Sequence, residues 1–141
     1  MKTDLETAVE TLKNGGYTCV ICKEGKLMTS FERGIKPLID WYDSGLDLTG
    51  AFAADKVVGK AAAMMYVLMS VKQVYSFTMS KTAVETFNRF GVEWSCDRIV
   101  DVINNRTNTG SCPMEQAVLL CNDPLSSYKS IKNKLKEFSN I

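Results

Sequence analysis

Cys112-Pro113-Met114-Glu115 is the sharpest chemical signal in the chain. Proline fits the first helical position, which puts Cys112 at the cap and Glu115 at the third position. A thiol at a helix N-terminus is acidified from ~8.5 toward ~3.5–7.5. Cys112 therefore reads as a catalytic nucleophile, a redox thiol or a ligand contact. The competing reading makes it a stand-in for a capping serine. A second set lies in residues 50 to 71, where Asp55, Lys56, Gly59 and Lys60 gather at the start of a helix rich in Ala, Met and Leu. Asp55 reads as the cap of that helix. Its free N–H groups, positive dipole end and two lysines one turn apart suit an anion. Gly59 allows close packing or the close approach of a ligand. The plainer alternative is that Asp55 only caps the helix and pairs with a lysine. A third set is Asn104-Asn105-Arg106-Thr107 with Thr109-Gly110, a polar loop in which Arg106 can grip phosphate or carboxylate bidentately. A loop held by asparagine-to-backbone bonds is the equal alternative.

Two further patterns lead nowhere. Gly59-Lys60 fails as a phosphate-binding loop because positions 54 and 61 are both alanine. Cys19 and Cys22 have a redox or metal spacing, but they lie in a strand, where residues three apart face opposite sides. They read as two separate core cysteines.

Composition narrows the chemistry more than any motif. The chain of 141 residues has no histidine. That excludes Ser-His-Asp and Cys-His catalysis and any histidine-containing zinc site within one chain. Acid–base work is left to Asp, Glu, Lys, Tyr or Cys. A net charge of +1 offers no field for nucleic acid or a membrane surface. The longest apolar run, 61 to 69, falls far short of the ~20 residues of a membrane span. Five cysteines and no signal segment point to reduced thiols and a cytoplasmic location. The length suits one domain, 1–141, with a core over 3–121 and a C-terminal helix over 123–139.

The elements that must position these residues follow from periodicity and punctuation. Residues 3 to 14 read as a helix capped by Thr3 or Asp4 and ended by Gly15-Gly16. Residues 17 to 22 and 27 to 31 form a hairpin. A short helix spans 37 to 43. The strand 51 to 54 feeds the buried helix. A strand over 73 to 78 precedes a helix over 81 to 90 capped by Ser80, and 92 to 95 is a weaker strand. Residues 97 to 103 read as a short helix, since Ile99, Val102 and Ile103 repeat at three to four. One helix runs from 112 to about 121. In the last, Leu125, Tyr128, Ile131, Leu135 and Phe138 make an apolar stripe opposite a row of lysines. This order predicts an α/β fold, a mixed sheet covered on both faces.

Three blocks together resemble the bacterial domain-of-unknown-function family numbered 1893: Glu32-Arg-Gly-Ile-Lys-Pro-Leu38, Ala54-Asp-Lys-Val-Val-Gly-Lys-Ala-Ala-Ala63, and Asn105-Arg-Thr with Cys112-Pro-Met-Glu115. The resemblance covers residues 3 to 121 and leaves the last helix outside. It implies a three-layer α-β-α sandwich like cytidine deaminase and no particular activity. Laid on a deaminase, the Asp55 helix start takes the place of the His-x-Glu zinc motif, and the Ser80-Lys81 helix start that of Pro-Cys-x-x-Cys. Neither ligand set is in this sequence, so the resemblance implies a cleft that remains without the zinc chemistry, and no cofactor is expected. The expected function is a binding module for a small anionic or nucleotide-like ligand at the Asp55–Lys60 turn. The alternatives are a Cys112-dependent enzyme and a structural subunit, including a homo-oligomer, that meets its partner through a sheet edge or the lysine-rich last helix.

Overall fold

The fold is organised by a hairpin, β1 (Cys19–Lys23) and β2 (Lys26–Ser30), added antiparallel to a parallel βαβαβ unit. The computed structural model describes residues 2–32, 34–104 and 112–139. The first helix, α1 (Asp4–Gly15), starts at Thr3, whose side chain accepts from the Glu6 amide, and stops at Gly16 with φ 69°. After the hairpin come α2 (Lys36–Asp43), β3 (Phe52–Val58), α3 (Lys60–Leu68), β4 (Gln73–Ser80), α4 (Lys81–Phe90) and β5 (Glu93–Val100). Two helices close the chain, α5 (Pro113–Val118) and α6 (Pro124–Ser139). The strand order is β2-β1-β3-β4-β5, with β3, β4 and β5 mutually parallel. Each parallel pair is joined by one helix, as crossover geometry requires.

Alternation along the strands divides the sheet's two faces. Cys19, Ile21, Ala53 and Val74 pack with α2 through α6, while Val20, Cys22, Ala54 and Tyr75 pack against Ala8 and Leu12 of α1. Cys19 and Cys22 thus serve opposite faces, as their strand position predicts. The first face holds the main core. Within it, Ala61, Ala63, Met64, Met65 and Tyr66 of α3 are all buried, as expected of a helix with almost no polar side. Ser80 caps α4 by accepting from the Ala83 amide at 3.1 Å, also as expected. In α6, Ile131 is buried and Tyr128 and Leu135 pack on the core, but Leu125 is exposed. The Phe138 side chain lies outside the described residues, as do Arg33 and residues 105–111.

Two expectations fail. The central helix does not begin at Asp55. Strand β3 continues through Lys56, Val57 and Val58, paired with β4 as far as Val58 opposite Met79, and α3 starts only at Lys60. Residues 97 to 100 are not helical either. They extend β5, with Arg98 opposite Thr78 and Val100 opposite Ser80. In both places a neighbouring strand supplies the hydrogen-bond ladder, and that outweighs local preference. Among the described residues no helix is long and apolar enough to cross a membrane.

Candidate functional site

Asp55 sits inside β3, opposite Cys19 of β1 and Ser76 of β4. It is therefore no helix cap. Its carboxylate is on the core face, where the Tyr66 hydroxyl of α3 donates to Oδ2 at 2.6 Å. The Val57 amide makes a longer bond, 3.4 Å, to Oδ1. Cys19 Sγ lies 3.2 Å from the Tyr66 hydroxyl oxygen. With the phenol hydrogen committed to Asp55, the thiol is the donor to that oxygen. The result is a chain of three ionisable groups, from buried Cys19 and Tyr66 to half-buried Asp55, in a protein that has no histidine.

Burial governs the titration of all three. It pushes the Asp55 carboxyl up to about 7, against the opposing pull of the Tyr66 hydrogen bond. Tyr66 is driven well above the ordinary phenol value, first by burial and then by the Asp55 charge. Cys19 is raised for the same two reasons. Desolvation thus leaves one carboxyl poised near neutrality beside two groups that stay protonated.

Asp55 lines a cavity of about 930 Å³, a volume ordinary for a small-molecule site. Its lining is drawn from β1 and β3, the starts of α2 and α3, α5, and Leu135 of α6. Ile35, Val57, Ala61 and Met114 are among its apolar lining. Of the residues singled out by sequence, Asp55, Lys56, Gly59 and Cys112 border it. Lys56 is exposed, and strand alternation turns its side chain from the Asp55 face, so it contributes at the rim. Lys60 is not among the lining residues. Its ammonium group donates to the Leu119 carbonyl at 3.1 Å, closing the C-terminal end of α5. Arg106 lies outside the described residues.

The anion seat at the start of α3 exists, but the protein fills it. Glu115 of α5 accepts from the Lys60 amide at 2.7 Å and from the Ala61 amide at 2.8 Å, one bond to each carboxylate oxygen. These are the orphan N–H groups of a helix that has no side-chain cap of its own. Gly59 makes the approach feasible, since a Cβ there would stand 2.1 Å from Glu115 Oε1. The glycine serves the chain's own carboxylate, not an incoming ligand. Burial raises the Glu115 carboxyl, with the two amides pulling the other way. This corrects one expectation, a free anion site at the start of α3. Cys112 stands at the N-cap of α5, half-buried, with its side chain making no capping bond.

Sequence reasoning missed Cys19, Tyr66 and Glu115 as parts of one site. The one available signal was Tyr66, a lone hydroxyl-bearing aromatic in a buried run of Ala and Met, whose O–H needs a partner.

The family model described as TM1506, domain of unknown function DUF1893, matches residues 7–135, and the chain belongs to that family. The match reaches into α6, so the last helix is not outside it as the three blocks had implied. The crystal structure of a DUF1893 family protein, TM1506, from Thermotoga maritima superposes with a TM-score of 0.83 at 24% identity. It covers 97% of this chain and 92% of that one, a likeness that shows the fold. A diaminohydroxyphosphoribosylaminopyrimidine deaminase/5-amino-6-(5-phosphoribosylamino)uracil reductase from Thermotoga maritima superposes at a TM-score of 0.42 and 18% identity. It covers 64% of this chain and 34% of that one, too slight a likeness to argue from. No curated protein matches the chain.

Proposed function

We propose that this DUF1893 chain is a receptor for a small nucleotide-like ligand, held in the cavity with a polar edge against Asp55 and its anionic part toward the rim. The observation that carries the reading is Asp55 itself: an ionisable carboxyl, oriented by Tyr66, in a cavity whose lining mixes apolar side chains with a few polar and charged ones. A strongly perturbed carboxyl in a cleft is a functional-site signature. Lys36 and Lys56 border the cavity and are exposed at its rim, where Lys36 exchanges a surface pair with Asp40 for the anionic part of such a ligand at little cost. A bare anion is the poorer fit, because Glu115 and Leu119 occupy the amide and ammonium donors of Lys60.

The deaminase-like cleft is read as one without zinc. The chain has no histidine, and among the described residues no group of three or more His, Cys, Asp and Glu could hold a metal ion. Five free cysteines suit a reducing, cytoplasmic setting. Isothermal titration of the chain with nucleosides, nucleoside monophosphates and inorganic phosphate tests the reading. The expected result is saturable binding of a nucleotide that weakens at least about tenfold in Asp55→Asn, the loss of roughly one charged hydrogen bond. Absence of binding for every nucleoside and nucleotide at millimolar concentration overturns it.

A second reading has one observation in its favour: Cys112 borders the same cavity as Asp55. A thiol enzyme using Cys112 as nucleophile and Asp55 as proton carrier would keep ligand affinity but lose turnover in Cys112→Ser. Full turnover in that variant removes it.

A further inference from the structure

The cavity lining is partly acidic, and among the described residues no cation pairs with its Asp55. Two carboxyl groups, Asp55 and Glu115, lie among the lining residues. Both Glu115 oxygens are taken by α3 amides. Asp55 is different. Oδ2 receives the Tyr66 hydrogen at 2.6 Å and Oδ1 a longer 3.4 Å bond from the Val57 amide, with weaker help from the Lys56 amide and the Cys19 thiol, so neutral donors alone hold it. An ionised carboxylate has about four lone-pair positions, so Asp55 keeps acceptor capacity.

Among the described residues, no lysine near the cavity forms an ion pair with Asp55. Lys36 pairs with Asp40 at 2.9 Å, and Lys60 is tied to the Leu119 carbonyl at 3.1 Å. Lys56 leaves β3 toward the other face. Among the described residues no ion pair involves Asp55. A desolvated carboxylate without a counter-charge is costly, and such groups are normally paired. The phenol beside it cannot be released to serve a ligand, because its hydrogen is held on Asp55 and its oxygen faces the Cys19 thiol.

We propose that the inner end of the ligand is a nitrogen donor, an amine or amidine-type group on an apolar body, and that Asp55 is the residue that selects it. The inference rests on the reading of the cavity as a ligand site and specifies which end goes in first. A carboxylate or phosphate beside Asp55 meets a like charge, with the Glu115 carboxylate also in the lining. An N–H-bearing or cationic nitrogen supplies the missing counter-charge to Asp55, while Ile35, Val57 and Met114 contact the apolar body. The near-neutral titration of Asp55 agrees with this, since ionising it becomes favourable once a donor arrives.

Three probes of one shape decide the matter: benzamidine, benzamide and benzoate, titrated calorimetrically into the full chain at mildly alkaline pH and low salt. Benzamidine should bind at least about tenfold more tightly than benzoate, with benzamide between them, and Asp55→Asn should erase the order. Benzamidine should also slow the alkylation of Cys112 in the native chain, which places it in this cavity without relying on a variant. Benzoate binding as tightly as benzamidine, or an unchanged order in Asp55→Asn, or no protection of Cys112, overturns the inference. If nucleotides bind and benzamidine does not saturate, the cavity is still a ligand site but the nitrogen-donor inference is wrong. If neither set binds, both readings fall.

Discussion

Replacing Asp55 by Asn should stabilise the protein at alkaline pH and do almost nothing in acid. Moving the carboxyl from its ordinary 3.8 to about 7 corresponds to an upper limit of ~4 kcal/mol, at about 1.4 kcal/mol per tenfold. Because the folded value is raised, the folded state binds the proton more tightly than the unfolded chain. The stability this gives is fully present below the unfolded value, declines as pH rises, and is gone above about 7. Asn keeps an oxygen that accepts from Tyr66 and carries no charge to desolvate. Urea denaturation of both proteins from about pH 4 to about pH 8.5 gives the difference directly. The gap should open steadily in favour of Asp55→Asn across that window. Other groups do not confuse the comparison. Cys19 and Tyr66, the neighbours that touch Asp55, both titrate higher than usual. Lys36, Cys112 and Glu115 around the cavity are common to both proteins. Asp43, Asp47, Asp101 and Asp123 are lowered, so the stability they add is lost only as pH falls through the acid range, and equally in both. Parallel pH profiles would refute the reasoning, because they would mean that Asp55 is as well solvated folded as unfolded.

Three further outcomes can be measured. Gly59→Ala places a Cβ 2.1 Å from Glu115 Oε1 and should cost about 1–3 kcal/mol in chemical denaturation, with much of that cost absent when Glu115→Ala is already in place. Glu115→Gln keeps the shape of the α3 cap without its charge and should lose about 1 kcal/mol, with faster hydrogen exchange at the Lys60 and Ala61 amides. Tyr66→Phe removes the donor to Asp55 and should cost about 1–3 kcal/mol, more at alkaline than at acid pH because the lost bond is stronger to the charged carboxylate. A loss independent of pH would mean that Tyr66 matters only for packing.

Much of the fold was legible because its signals are local. Thr3 and Ser80 cap the helices they precede, and Gly16 and Gly91 end them in left-handed turns. The hairpin declared itself by its strands and the turn between them. The failures share a cause. Asp55 has the chemistry of a helix cap, and only the presence of β1 and β4 on either side keeps it in a strand. Ile99, Val102 and Ile103 have a helical spacing, and only β4 draws residues 97 to 100 into the sheet. For the site, Asp55, Gly59 and Cys112 were visible as residue types. Their real partners were not. Tyr66 lies 11 residues from Asp55 and 47 from Cys19, and Glu115 lies 55 from Lys60. No periodicity reports such pairings.

The missing side chain at Gly59 carries a consequence for how this chain can vary. Positions 59 and 115 behave as a single coupled choice: a bare backbone at one admits a carboxylate at the other. A relative with a side chain at the first position should have surrendered the acid at the second and found another donor-quenching group for its central helix. Since the same acid belongs to the wall around Asp55, that exchange would reshape the chamber as well, so relatives sorted by these two letters should also sort by what they bind.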